Sequence, residues 1–147
     1  MIGRMYGVGI ASQAQTAAKT LVEVASPADS VTFIERAYIK QTSFDTSENL
    51  GSTFQRITSS GTGTATTPRP LQSGDAAFGG TVETNSTIEP TYDANGVLVE
   101  EGFNVLSGLL WTPANDDEVM VLSPSALWGM NLDVAPSGSM NFSYGVT

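Results

Sequence analysis

The sequence predicts an all-β protein, a sandwich or barrel of about eight short antiparallel strands. Short runs rich in β-branched and aromatic residues recur along the chain, separated by Ser, Pro, Asp, Asn and Gly. Several runs alternate between apolar and polar residues, which is typical of strands with one buried face. Helical periodicity is nearly absent, and no repeat of fixed period is visible. At 147 residues, the chain is long enough for one domain with a sizeable core.

The N-terminal region has two interpretations. We expect residues 1–19 to form an arm or a first strand, and residues 20–147 to form the sandwich domain. The best helical candidate is SQAQTAAKTL (12–21), but this segment is short and has no apolar stripe. The first residues resemble no secretory signal, and no apolar run approaches the ~20 residues of a membrane helix. We therefore expect synthesis in a cytoplasm, no processing and no membrane contact.

Eight strands are predicted in the remainder of the chain. They cover residues 20–25, 30–41, 52–59, 81–90, 97–111, 118–123, 126–134 and 139–146. The last two strands place on one face Trp128, Met130, Leu132 and Val134, and then Met140, Phe142, Tyr144 and Val146. The short APSG connection between them predicts a hairpin with one buried face. A second turn, of type I′, is predicted at Asn95-Gly96.

A long loop is predicted over residues 59–80, centred on GTGTATTPRPLQSGDAAFGG (61–80). It lacks the Lys-Ser/Thr end of a phosphate-binding loop, and no helix is predicted after its glycines. Thr67 and Arg69 each precede a proline, which makes this part a stiff, extended connection. Such an Arg suits pairing with a carboxylate on a partner subunit, although a solvated loop Arg is an equally simple interpretation. The candidate interface residues are Met5, Tyr6, Pro68, Arg69, Pro70 and Phe78, with the arm Met1 to Ile10 contributing the first two.

The composition excludes several kinds of chemistry. The chain has no Cys and no His, so thiolate nucleophiles, Cys-based metal sites and the commonest general base are absent. Six Lys and Arg against fifteen Asp and Glu give a net charge of −9, which disfavours nucleic acid as a partner. We therefore predict a protein that is not an enzyme and that carries no cofactor and no metal.

Two other interpretations remain open. Asp93, Asn95 and Glu100, or the acidic cluster 116–118, could hold a cation, although a hairpin turn and a charged turn explain them as well. Trp111 or Trp128 could form a platform for sugars, which makes a carbohydrate-binding β-sandwich the alternative function, although core packing suits both side chains better.

A hydrolase that depends on two carboxylates is a further possibility, with Glu100 or Glu101 as the residue to test. The sequence offers no local pattern that pairs two of its carboxylates.

The chain resembles a family of tailed-bacteriophage head decoration proteins, also called cement-like proteins. The resemblance covers roughly residues 20–146 and lies in IERAYIKQTS, FQRITSSGTGTATTPRPLQSGDAAFGGTVETN, FNVLSGLLWTP and MNFSYGV. It implies a β-sandwich of jelly-roll type that assembles as a homotrimer on the outer surface of the capsid. There it would bridge subunits of the major capsid protein and act as a virion structural protein. The family has no catalytic motif to transfer.

Overall fold

The chain folds into two antiparallel sheets packed face to face, as a computed structural model of residues 3–43 and 46–147 shows. These residues contain thirteen strands and one short 3₁₀ helix, Asp116–Glu118. The strands are β1 (Tyr6–Gln15), β2 (Lys19–Ala25), β3 (Thr32–Ile34), β4 (Ala37–Gln41), β5 (Asn49–Ser59), β6 (Thr62–Ala65), β7 (Arg69–Pro70), β8 (Thr81–Ile88), β9 (Thr91–Asn104), β10 (Leu109–Trp111), β11 (Met120–Leu122), β12 (Leu127–Leu132) and β13 (Met140–Val146). The predicted all-β class is confirmed.

The strands form two large sheets and one small one. The first large sheet has five strands in the order β10-β4-β13-β1-β7, and the second has six in the order β6-β8-β2-β12-β5-β9. Strands β3 and β11 pair with each other as a separate two-stranded sheet. Among the described residues, no helix has the length and apolar character that a membrane crossing requires.

The core lies between the two large sheets and is filled by alternate residues of their strands. The rings of Phe54 and Trp128 lie 5.7 Å apart at its centre, and Trp111 meets Phe54 edge-on at 6.0 Å. The apolar face predicted for β13 is fully buried. In the strand before it, Val134 is an exception because it lies beyond the end of β12 and is 56 % exposed.

The hairpin predicted between the last two strands is wrong. Strand β12 lies in the six-stranded sheet, whereas β13 lies in the five-stranded sheet. Both strands do have one buried face, but these faces meet across the core instead of lying side by side. The connection between them crosses from one sheet to the other, and it is anchored where Asp133 N donates to Gly51 O at 3.0 Å.

The type I′ turn predicted at Asn95-Gly96 is also wrong. Residues on both sides of this dipeptide pair with the same strand, since Tyr92 lies opposite Ile57 and Val97 opposite Gln55. The chain therefore bulges within β9 and does not reverse. Neither residue has the positive φ that a type I′ turn requires. The side chain of Gln55 stabilises the bulge by donating to Asp93 O at 2.7 Å.

The helical candidate at residues 12–21 forms strands instead. Residues 6–15 make up β1, which lies between β13 and β7, and residues 19–25 make up β2 in the other sheet. Hydrogen bonding to neighbouring strands outweighs the helix preference of Ala and Gln. The chain thus crosses between the two sheets over residues 16–18.

Two predicted strands are each split in two. The run 30–41 divides into β3 and β4 because the amides of Glu35 and Arg36 both donate to Thr147 O, at 2.9 and 3.2 Å. The run 97–111 divides into β9 and β10 because a tight turn follows Asn104. There Gly108, with φ +78, donates its amide to Asn104 O at 2.8 Å.

Candidate interaction surface

The segment predicted as a loop over 59–80 is held against the sandwich from its first residues and contains β6 and β7. The carboxylate of Glu23 accepts hydrogen bonds from Ser60 Oγ at 2.6 Å and Gly61 N at 3.1 Å. Its cross-strand neighbour Glu83 accepts from Gly63 N at 3.0 Å. A Cβ at Gly61 or Gly63 would lie 2.3 Å from Ile88 O or 2.7 Å from Thr84 O, respectively. These glycines therefore permit close backbone approach to β8.

The proline-rich part of the segment forms β7, the edge strand of the five-stranded sheet. Arg69 pairs with Gly7 of β1, and Pro70 pairs with Tyr6. The pairing continues one residue further, where Leu71 N donates to Met5 O at 2.8 Å. Because proline cannot donate a backbone hydrogen bond, it is tolerated in a strand only at an edge or a strand end. The stiff connection expected from the prolines is thus a short edge strand.

An aromatic contact joins the end of the segment to the start of β1. The rings of Tyr6 and Phe78 lie 5.3 Å apart at a tilt of 57°. The Tyr6 hydroxyl donates to Ala76 O at 2.9 Å. Phe78 also packs against the buried core. The N-terminal residues and the 61–80 segment, both predicted to contribute to an interface, therefore fold together as one surface.

We call this surface the edge patch; it consists of Met5, Tyr6, Pro68, Arg69, Pro70 and Phe78. Met5 and Arg69 are exposed, whereas Pro68 is buried and fixes the path of the segment. Arg69 lines a small hollow of about 390 Å³ beside Gly7 and Gly9. Met1 and Ile2, the first residues of the predicted arm, lie outside the described residues.

A cleft of about 730 Å³ opens beside the edge patch, at one end of the sandwich. Met5, Tyr6, Pro68 and Phe78 form part of one wall, and residues 29–35 form another. Its charged lining residues are Arg4 on the first wall and Asp29 and Glu35 on the second. A volume of this size lies within the range of binding sites for small molecules or peptide segments.

The second wall of this cleft was not predicted from the sequence. Residues 30–41 were expected to form one strand, and no role was predicted for the side chains of Val31 and Phe33. These are 47 % and 40 % exposed, and both line the cleft. The turn residues of PADS (27–30), directly before an apolar run, were the available signal that a short separate strand begins there.

A polar cluster with short hydrogen bonds lies elsewhere, on the six-stranded sheet. Thr20 donates through its hydroxyl at 2.6 Å and its amide at 2.9 Å to Glu89 Oε2. The Tyr92 hydroxyl lies 2.6 Å from Thr20 Oγ1 and donates to it, because the Thr20 proton is already directed to Glu89. Burial raises the pKa of Tyr92 above its ordinary value, and the neighbouring carboxylates add to this effect. The cluster ties the start of β9 to β2.

In the two acidic segments, side-chain oxygens accept hydrogen bonds from neighbouring residues. Asn115 Oδ1 accepts from Asp117 N at 2.9 Å, and Glu118 accepts from Ala114 N and from the Asn115 side chain. In the bulge of β9, Asp93 Oδ1 accepts from Asn95 N at 2.9 Å. Within the described part of the chain, no three acidic residues come together in an arrangement that could hold a metal ion.

The remaining candidate residues are dispersed. Trp128 has no exposed surface and lies in the core, while Trp111 is half-buried against it. Glu100 and Glu101 are adjacent, exposed residues of β9, so their side chains project to opposite faces of the sheet. The structure therefore does not bring these two carboxylates together as a pair.

No protein-family model, no curated protein and no solved structure matches the chain.

Proposed function

We propose that the protein is a non-enzymatic virion structural protein that decorates the outer surface of a phage capsid. In this proposal it assembles as a homotrimer of jelly-roll-type subunits and bridges neighbouring subunits of the major capsid protein. The resemblance of residues 20–146 to head decoration proteins supports this function. The all-β sandwich and the acidic composition are compatible with it.

The observation that carries the proposal is the convergence of the edge patch. Residues from the N-terminal region and from the segment 61–80 are far apart in sequence, yet β1–β7 pairing and the Tyr6–Phe78 contact bring them together. The patch combines an exposed arginine with apolar side chains on a rigid sheet edge. Aromatic residues and arginine on a rigid support are the residues most enriched at strongly binding interfaces.

Assembly as a trimer would increase the overall affinity of this patch for the shell. In a threefold assembly, each copy presents the same surface around one axis. Weak contacts of single copies with the shell then combine, because the second and third contacts form at high effective concentration.

Replacing Arg69 and Phe78 with Ala tests this proposal. We expect light scattering at micromolar concentration to give about three times the 15.4 kDa monomer mass for the native protein. The double variant should shift to the monomer mass, because it loses the charge and the ring of the edge patch. A urea unfolding curve should show that the variant monomer remains folded.

A matched control removes one basic and one apolar exposed residue elsewhere, with Lys40→Ala and Leu110→Ala on β4 and β10. This control should keep the trimer mass. A second assay is cosedimentation with expanded shells of the major capsid protein encoded in the same genome. The native protein and the control variant should sediment with these shells, and the Arg69→Ala, Phe78→Ala variant should not. A native protein that stays monomeric and does not sediment with these shells would contradict the proposal.

A further inference from the structure

We propose that the cleft binds an extended segment of a partner protein, which adds to β3 as an extra strand. The segment alternates between apolar and polar residues and carries a basic residue at each end. This inference does not rest on the capsid proposal, because the features below specify a peptide and no particular assembly. It assigns a receptor role to the wall formed by residues 29–35.

The first observation is an unpaired strand edge. Among the described residues, β3 pairs with β11 alone. Six consecutive residues, Ser30 to Glu35, line the cleft, whereas no residue of β11 does. The cleft therefore lies along the side of β3 that faces away from β11. Unpaired backbone N–H and C=O groups along a strand edge can form hydrogen bonds with an added strand.

The second observation is the apolar floor. Both large sheets contribute to it, since the lining includes buried valine and isoleucine side chains from five strands. These residues are Val8, Val24, Ile34, Val82 and Val146. Because alternate side chains of a strand point the same way, an added strand would direct every second residue onto this floor. An alternating apolar and polar segment satisfies this geometry.

The third observation is the charge around β3. Asp29 precedes the strand and Glu35 follows it, and both are exposed and line the cleft. The guanidinium of Arg36 lies over Tyr38 of β4, 5.4 Å from the ring centre, and the basic lining residue Arg4 lies on the opposite wall. A segment with a basic residue at each end complements the two carboxylates.

A labelled peptide of sequence Lys-Val-Ser-Val-Thr-Val-Lys tests the inference by fluorescence anisotropy with the full-length protein. We expect saturable binding, together with slower amide hydrogen exchange at residues 32–34. The same peptide with Pro in place of the central Val should bind at least about tenfold more weakly, since proline removes a strand hydrogen bond and disfavours the pairing geometry. Equal binding of the Pro peptide would show an apolar site without strand addition and would overturn the proposal.

A charge reversal of the wall provides the matched test. The double variant Asp29→Lys, Glu35→Lys should lose about tenfold in affinity for the lysine-ended peptide and gain for the same peptide ended by glutamates. The control variant Glu100→Lys, Glu101→Lys makes the same change in net charge on β9 and should leave both affinities within about twofold. Absence of binding to the native protein, or equal effects of the two double variants, would overturn the proposal.

Discussion

The two ends of the sandwich are closed in different ways. The cleft opens at the end reached by Val146, and buried apolar side chains from both large sheets form its floor. At the other end, where β13 begins at Met140, polar side chains close the gap. There Gln15 Nε2 donates to Asn85 Oδ1 at 3.2 Å and joins β1 of one sheet to β8 of the other.

The polar end is closed by hydrogen bonds within the chain, while the buried Oε1 atoms of Gln15 and Gln41 have no partner among the described residues. Gln41 is buried and donates to Ser43 Oγ at 3.2 Å, and Ser137 N donates to Glu48 Oε1 at 3.0 Å. A partner would have to break such bonds before it could enter this end. Among the described residues, the cleft end instead offers apolar surface and an edge of β3 that pairs with no other strand, which are the features that the proposed strand addition uses.

The largest expected difference is between Val22 and Val24, two buried valines of β2 on the same face. Val24 lines the cleft, whereas Val22 lies deeper in the sandwich. We expect Val22→Ala to lower the free energy of unfolding by about 2–3 kcal/mol, because it leaves a closed cavity. Val24→Ala should cost about 1 kcal/mol, since the space it leaves is continuous with the cleft. Urea unfolding measures both, and equal losses would contradict an open end.

A smaller effect is expected at Asn85, which closes the polar end. Asn85 has φ 53, a left-handed conformation that Asn tolerates better than Ala. Asn85→Ala should lower the free energy of unfolding by about 2 kcal/mol, because it adds backbone strain to an unpaired Gln15 amide. Asn85→Gly removes the same hydrogen bond without the strain and should cost about 1 kcal/mol. If the two variants are equally stable in urea, the strain argument is wrong.

Much of the fold could be predicted from the sequence because alternation reports directly on burial. The β13 pattern from Met140 to Val146 identified a strand and its buried face, and both are confirmed. The partner of that strand could not be predicted in the same way. A hairpin and a crossing to the opposite sheet both bury the apolar face of β12, so alternation does not distinguish them.

The candidate surface could be predicted only in part. The prolines at 68 and 70 indicated a stiff segment, and the structure brings this segment beside Tyr6. Their role at a subunit boundary stays a prediction. The wall at Phe33 was not predicted, because its exposure depends on β3 leaving the large sheets to pair with β11. Directly after β3, the amides of Glu35 and Arg36 donate to Thr147 O, more than a hundred residues away in sequence, and alternation along the chain does not report such contacts.

The smallest expected effect is at Tyr144, which lies between the two ends. Its hydroxyl is buried and has no hydrogen-bond partner among the described residues. Tyr144→Phe should therefore raise the free energy of unfolding by about 1 kcal/mol at pH 7, because it removes an unpaired polar group without changing the ring. The matched variant Tyr92→Phe should be destabilising, since it loses the hydrogen bond to Thr20. A less stable Tyr144→Phe protein would show that the hydroxyl is bonded after all.

Tyr144 should also affect how the free energy of unfolding changes at alkaline pH. Burial raises the pKa of Tyr144 from 10.0 to about 12, so the folded state favours the neutral phenol. Because the neutral phenol is favoured more in the folded state than in the unfolded state, Tyr144 should lower the free energy of unfolding as it ionises. Its contribution to stability is fully present below pH 10 and is lost as the pH rises from about 10 to about 12. Tyr144→Phe should make this alkaline loss of stability smaller, as measured by urea unfolding at pH 9, 10 and 11. Because Tyr92 also resists ionisation, part of the loss should remain in the variant and disappear only when both tyrosines are replaced by Phe.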